Sequence, residues 1–207
     1  MKKMIIVVFL AVSFAFSIHA QQQRVDIVVK EIKVDLVQAP KYGVTVHKQL
    51  PQPDSSLKWL IIEADLDSSL EWADDVVLRF YVVAQYGNNA RGDHVPQDRW
   101  DVLASSVTVT SLKKGKGVVP MYIDSTTVKK YGAVAVQQFI PEVVVQVMYK
   151  GAVQHTKWMR NEQQSGRFWE KKQPKSGFLV DITKSPWWPA FSENYEQVKP
   201  MTAAPAF

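Results

Sequence analysis

Five carboxylates crowd one short stretch: Asp65, Asp67, Glu71, Asp74 and Asp75. Oxygen donors this dense suit Ca²⁺, and a carboxylate pair at the right separation cleaves glycosides. The spacing matches no EF-hand loop, which needs its own glycine and a terminal glutamate. Asp65 and Asp67 fall on one face of a strand, so the simpler expectation is a solvated acidic turn between two strands. His47, His94 and His155 are far apart in sequence, with no HExxH or His-x-His spacing, and read as surface or hairpin histidines. Ser105-Ser106 lies inside a strand pattern, outside any glycine-flanked nucleophile elbow. Gly115-Lys116-Gly117 is a turn and lacks the glycine spacing of a phosphate loop. Arg91-Gly92-Asp93 is a string that integrins read on an exposed tip, although Gly-Asp is also ordinary turn chemistry.

Aromatic and basic residues offer binding chemistry instead. Trp187, Trp188 and Phe191 stand between prolines near the C-terminus. Tryptophans dominate interface hot spots, and paired rings also stack on sugars. The competing expectation is that this tail folds back over an open edge or end of its own fold. Three basic clusters, Lys113-Lys114-Lys116, Lys129-Lys130 and Lys171-Lys172-Lys175, suit anionic glycans, lipids or acidic partners. Charges beside strands also protect edges from aggregation. The chain has no cysteine, which excludes a disulfide scaffold, thiolate metal sites, an Fe–S cluster and a thiol nucleophile. No residue pattern calls for a cofactor or a metal, and no catalytic motif is found.

The elements that must position these residues begin after a leader. Lys2 and Lys3 precede an apolar run from Ile5 to Phe16, and Ile18-His19-Ala20 leads into three glutamines. This is the pattern of a secretory signal peptide over 1–20, too short for a comfortable membrane span. Removing it takes away two lysines and no acid, so the net charge falls from +5 to +3. That is too weak to argue for nucleic acid. The expected protein is secreted or periplasmic, associates with the cell surface, and spans no membrane after signal cleavage.

The remainder reads as strands, because its apolar period is mostly two. At 57–66, Leu60, Ile62, Ala64 and Leu66 share a face. At 76–85, Val76, Leu78, Phe80, Val82 and Ala84 do, with Arg79, Tyr81 and Gln85 opposite. Further strands are expected at 102–111, 117–123, 143–149, 152–159 and 178–182. In the first strand Val25, Ile27 and Val29 are odd, whereas Ile32, Val34 and Leu36 are even. Such a phase change needs a bulge or a crossing to another sheet. Lys150-Gly151 suits a two-residue hairpin that pairs Val147 with Gln154, Val145 with Thr156 and Val143 with Trp158. A short helix at 125–131 is capped by Asp124 or Ser125, and Gly132 closes it. These elements predict an all-β antiparallel sandwich over 21–183 with one short helix. An irregular proline/aromatic tail occupies 184–207.

The leader, the cysteine-free valine-rich strands, the stretch Trp72-Ala73-Asp74-Asp75-Val76-Val77-Leu78-Arg79-Phe80-Tyr81-Val82-Val83 and the Pro186-Trp187-Trp188-Pro189 tail together resemble one small family. It is the secreted immunoglobulin-like protein encoded with type IV pilus-like assembly genes in mucin-degrading gut bacteria. The resemblance implies an immunoglobulin-like sandwich, an extracytoplasmic location and association with pilus-like surface machinery, and it brings no catalytic residue. The two cysteines of antibody-type domains are absent, so only the architecture is in play.

Three functional classes follow. The first is a non-enzymatic binding or assembly module that meets a protein partner of a pilus-like or envelope complex, or a second copy of itself, through a strand edge or through Trp187, Trp188 and Phe191. The second is a carbohydrate-binding module that stacks glycans on Trp59, Trp100, Trp158 or Trp169. The third is a hydrolase with its only foothold in the 65–75 carboxylates.

Overall fold

The computed structural model describes residues 26–40, 58–85, 100–131, 140, 142–160, 167–188 and 198–199. The leader, the segments around His47 and His94, the Arg91-Gly92-Asp93 string, Gly132 and Phe191 lie outside the described residues. Strands β1 (Ile27–Gln38), β2 (Lys58–Gln85) and β3 (Trp100–Ile123) come first, followed by helix α1 (Ser125–Lys130). Then come β4 (Glu142–Tyr149), β5 (Ala152–Trp158), a four-residue helix α2 (Phe168–Lys171), β6 (Leu179–Val180) and β7 (Val198–Lys199). A 3₁₀ turn at Ile182–Lys184 follows β6.

All pairings between these strands are antiparallel, in the order β5-β4-β2-β3-β6, with β1 on β2 and β7 on β3. The strands expected at 57–66 and 76–85 are halves of one 28-residue strand, and those expected at 102–111 and 117–123 are halves of β3. The first half of β2 pairs with β1 and with the end of β3; its second half pairs with β4 and with the start of β3. The two halves form the two layers of a β-sandwich. Their inner faces share one core, with Ile62 and Leu66 from one half and Leu78, Phe80, Val107 and Val145 from the other.

A bulge marks the bend. Between Ser68 and Trp72 the β2–β3 register slips, so Ser69, Leu70 and Glu71 have no opposite residue. Asp75 has φ 53° and Gly115 φ 102°. Positive φ is cheap for glycine and tolerable for aspartate. The acidic stretch is therefore a bent portion of a continuous strand and not a turn between two strands.

The phase change in β1 resolves as a bulge. Val29 pairs with Leu66 and Glu31 with Asp65, so Lys30 is the extra residue, and β1 stays on β2 throughout. Its edge carries exposed Lys30, Glu31, Lys33 and Asp35, a charge pattern that discourages edge-to-edge pairing.

His155 of β5 reaches this bulge, and its Nδ1 accepts a hydrogen bond from the Val29 N–H at 3.1 Å. Burial first, and then the charges of Lys157 and Lys30, hold its imidazole below the usual 6.5. The neutral ring is the one that fits, because a protonated Nδ1 cannot accept. A histidine with a depressed folded pKa contributes stability that is full above pH 6.5 and is lost as pH falls below it toward the folded value. His155→Gln keeps an acceptor without a titrating proton. It should flatten the pH dependence of the melting temperature in that window, and an unchanged slope would exclude His155 as its source.

The β4–β5 hairpin turns through Lys150 (φ 52°) and Gly151 (φ 77°), a two-residue turn with positive φ at both positions. Met148 pairs with Val153 next to the turn, but the register then slips at Gln154. Val147 pairs with His155, Val145 with Lys157 and Val144 with Trp158. The expected pairs Val147–Gln154, Val145–Thr156 and Val143–Trp158 are thus each displaced by one residue. Helix α1 is capped by Asp124, whose side chain accepts from the Thr126 and Thr127 N–H groups at 2.8 and 3.0 Å. Helix α2 adds a helical turn that the strand pattern does not announce.

Candidate functional site: the outer face of the β5-β4-β2-β3 layer

Alternation along β2 buries Leu78, Phe80 and Val82 inward and turns Val77, Arg79, Tyr81 and Val83 to the opposite face. Their partners share that outer face. Tyr81 lies beside Ala104 and Val144, and Val144 beside Trp158. An outward Tyr81 and Val83 need cover, and α2 supplies it. Phe168 is buried in a second apolar cluster with Tyr81, Val83, Val102, Ala104 and Val144.

Trp169, half-buried, stacks on Tyr81 with centroids 4.9 Å apart and rings 20° from parallel. Its neighbours are Trp158 at 6.4 Å and the edge-on Phe168 at 5.2 Å. Trp100 packs on the same cluster, with the Lys172 ammonium 4.9 Å over its ring. Each such aromatic pair contributes roughly 0.5–1.5 kcal/mol beyond its buried area.

The segment that carries Phe168 and Trp169 is tied to the edge of β3. The Lys175 N–H donates to Val102 O at 2.7 Å, and the Ala104 N–H donates to Lys175 O at 2.9 Å. The side chain of Asp101, 4% exposed, sits under this strap. It accepts from the Tyr131 hydroxyl at 3.0 Å and from Lys175 Nζ at 2.8 Å, and Lys172 Nζ lies 3.6 Å away. Lys172 Nζ also donates to the Trp100 carbonyl.

Of the tryptophans proposed for sugar stacking, three therefore meet on one face: Trp100, Trp158 and Trp169. Trp59 lies elsewhere, edge-on to Trp187 at 5.9 Å. Trp187 also stacks on Tyr122 at 5.3 Å, and both Trp187 and Trp188 are half-buried against the main core of their own chain. The described part of the tail is therefore folded back on its own sandwich.

The acidic stretch is distributed over lysine partners. Asp65 pairs with Lys33 at 2.7 Å, Asp67 with Lys30 at 3.4 Å and Glu71 with Lys114 at 2.7 Å. The hydrogen bond to Asp65 raises the Lys33 pKa above its ordinary value. Among the described residues no three potential ligands converge as a metal site would require. Ser105 is buried in β3, and Trp72 is exposed with Lys113 5.0 Å over its ring. Among the described residues no helix is long and apolar enough to cross a membrane. The residues that sequence reasoning passed over are Tyr81, Asp101 and Arg79. Arg79 carried a signal, as the single charge in the apolar run from Val76 to Ala84.

An antiparallel β-sandwich with long shared strands and an aromatic strap defines the class of protein. Within that class, one family model matches residues 18–202, nearly the whole chain, and the chain belongs to that family. A crystal structure from Akkermansia muciniphila is similar in fold, with a TM-score of 0.64 at 15% identity, covering 86% of this chain and 94% of that one. No curated protein matches the chain.

Proposed function

We propose that this protein is a non-enzymatic binding and assembly module, exported from the cytoplasm, that joins a pilus-like or cell-envelope complex. The observation that carries the assembly reading is the edge strand β5. It ends the strand order and forms a backbone ladder only with β4 among the described strands, while β1 packs beside it and meets it through the Val29–His155 hydrogen bond. Its Val153 is one of three exposed large hydrophobic residues among the described residues, at 46% exposure. A sheet edge recruits partners by strand addition, with main-chain hydrogen bonds for affinity and alternate side chains for specificity. The export signal over 1–20 and the resemblance of 72–83 and the tail to the pilus-linked family supply the cellular setting. Val153→Lys places a charge on that edge at an exposed position. It should leave the unfolding free energy within about 0.5 kcal/mol of the parent and abolish self-association or pull-down of envelope partners. Association that survives the change, measured by light scattering and pull-down, removes β5 from the proposal.

The meeting of Trp100, Trp158 and Trp169 supports a second reading, a carbohydrate-binding module that works through the outer face of the sandwich. Exposed aromatic faces stack on the apolar sides of sugar rings, and their emission moves when a ligand settles on them.

A further inference from the structure

Next to the aromatic strap, the outer face carries one row of polar side chains across all four strands. Arg79 of β2 lies opposite Ser106 of β3 and Gln146 of β4, and Gln146 lies opposite Thr156 of β5. All four are partly exposed. The Arg79 Nε is buried and has no hydrogen-bond partner among the described residues. A buried donor left unmade costs free energy, and an arginine fork fits a carboxylate in two parallel hydrogen bonds. No acid stands in the row to fill that role. On one side the row is bordered by the next one, in which Tyr81 lies under Trp169 and Val144 pairs with Trp158.

We propose that this row binds an acidic sugar, with its carboxylate on the Arg79 guanidinium. Ser106, Gln146 and Thr156 supply neutral donors and acceptors for ring hydroxyls, and the tryptophan border supplies a stacking wall. Neighbouring strands lie about 4.8 Å apart, so each step along the row is close to the width of a pyranose ring. A single cation among hydroxyl and amide groups matches a ligand with one charge and many hydroxyls better than it matches an acidic peptide. The inference rests on the carbohydrate reading and narrows it to a charge class.

The test is an NMR titration of the full chain with methyl β-D-glucuronide, methyl β-D-glucoside and N-acetylglutamate amide. The probes are the Arg79 Nε–H and the tryptophan indole N–H resonances. The expected result is a saturable shift with the glucuronide alone. Arg79→Gln should weaken that response by roughly tenfold or more. Equal response to glucuronide and glucoside overturns the assignment to Arg79 and leaves the carbohydrate reading standing. Silence with both sugars overturns both. An equal response to the glutamate derivative overturns the choice of a sugar. The Nε–H shift of the parent protein reports contact directly, so the result stands even if the variant folds poorly.

Discussion

Asp101→Ala should lower the unfolding free energy by about 3 kcal/mol and loosen the strap from the sheet. The carboxylate is almost fully buried and joins three elements: β3, the residue that ends α1, and the strap. Removing it takes away the acceptor that the buried Tyr131 hydroxyl meets at 3.0 Å, and losing a buried hydrogen bond of this kind costs about 1–3 kcal/mol. The ion pairs add less than their distances suggest. The Lys175 side chain is 46% exposed, and water screens such a pair strongly. The main loss is positional. Lys175 holds the backbone bridge to β3, and that bridge keeps Phe168 and Trp169 over Tyr81. Urea unfolding with tryptophan emission reads both consequences: an earlier midpoint, and a red shift before the main transition. Asp101→Asn keeps an acceptor for Tyr131 and should cost roughly half as much. A variant within about 0.5 kcal/mol of the parent would show that the strap is held by its apolar contacts alone.

The layer architecture was legible in the sequence because its cause is local. Side chains alternate along a strand, so the even residues Leu60 to Leu66 and Val76 to Ala84 announce one buried face. The phase change after Val29 and the Lys150-Gly151 turn were equally visible, since each rests on a property of one or two residues. Continuity across the 68–75 bend was hidden. A polar, acidic stretch reads as a turn, and only long-range pairing of β2 with β3 keeps it in the sheet.

The site was hidden for a related reason. A single extra residue at Gln154 moves the rest of β5 by one position and places Trp158 opposite Val144. Because the side-chain period is two, that slip carries the ring from the core face to the outer face, where Trp169 waits. No local signal separates a regular hairpin from one with a bulge three residues past the turn. The partnership of Asp101 with Lys175, 74 positions apart, is likewise set by the path of the strap. Arg79 differs from both. A charge in an apolar strand run is a question that the sequence itself asks, and the outer-face row is where the fold answers it.

Trp187→Ala should be the costlier of the two tail substitutions, at about 3 kcal/mol, and it separates the two roles open to the tail. The ring lies nearly parallel to Tyr122, with Trp59 against its edge, so truncation leaves two aromatic residues of the core with an empty side. The backbone places the ring there by a short chain of caps. The Asp181 carboxylate accepts from the Thr183 N–H at 2.8 Å and starts the 3₁₀ turn. The Ser185 hydroxyl then donates to Ile182 O at 2.8 Å and accepts from the Trp187 N–H at 3.2 Å. A ring delivered by three such bonds into a stacked position is cover for the end of the sandwich. Trp187→Phe keeps a stacking partner for Tyr122 and should recover more than half of the loss, whereas Trp188→Ala, with no ring partner at Tyr122, should cost less. Chemical unfolding of the three variants, beside light scattering on each folded form, distinguishes the outcomes. A Trp187→Ala protein that is as stable as the parent but has lost its association would make the tail a partner surface after all. A destabilised protein that associates normally while folded assigns the tail to the fold and leaves partner recognition to the edge of β5 and the outer face.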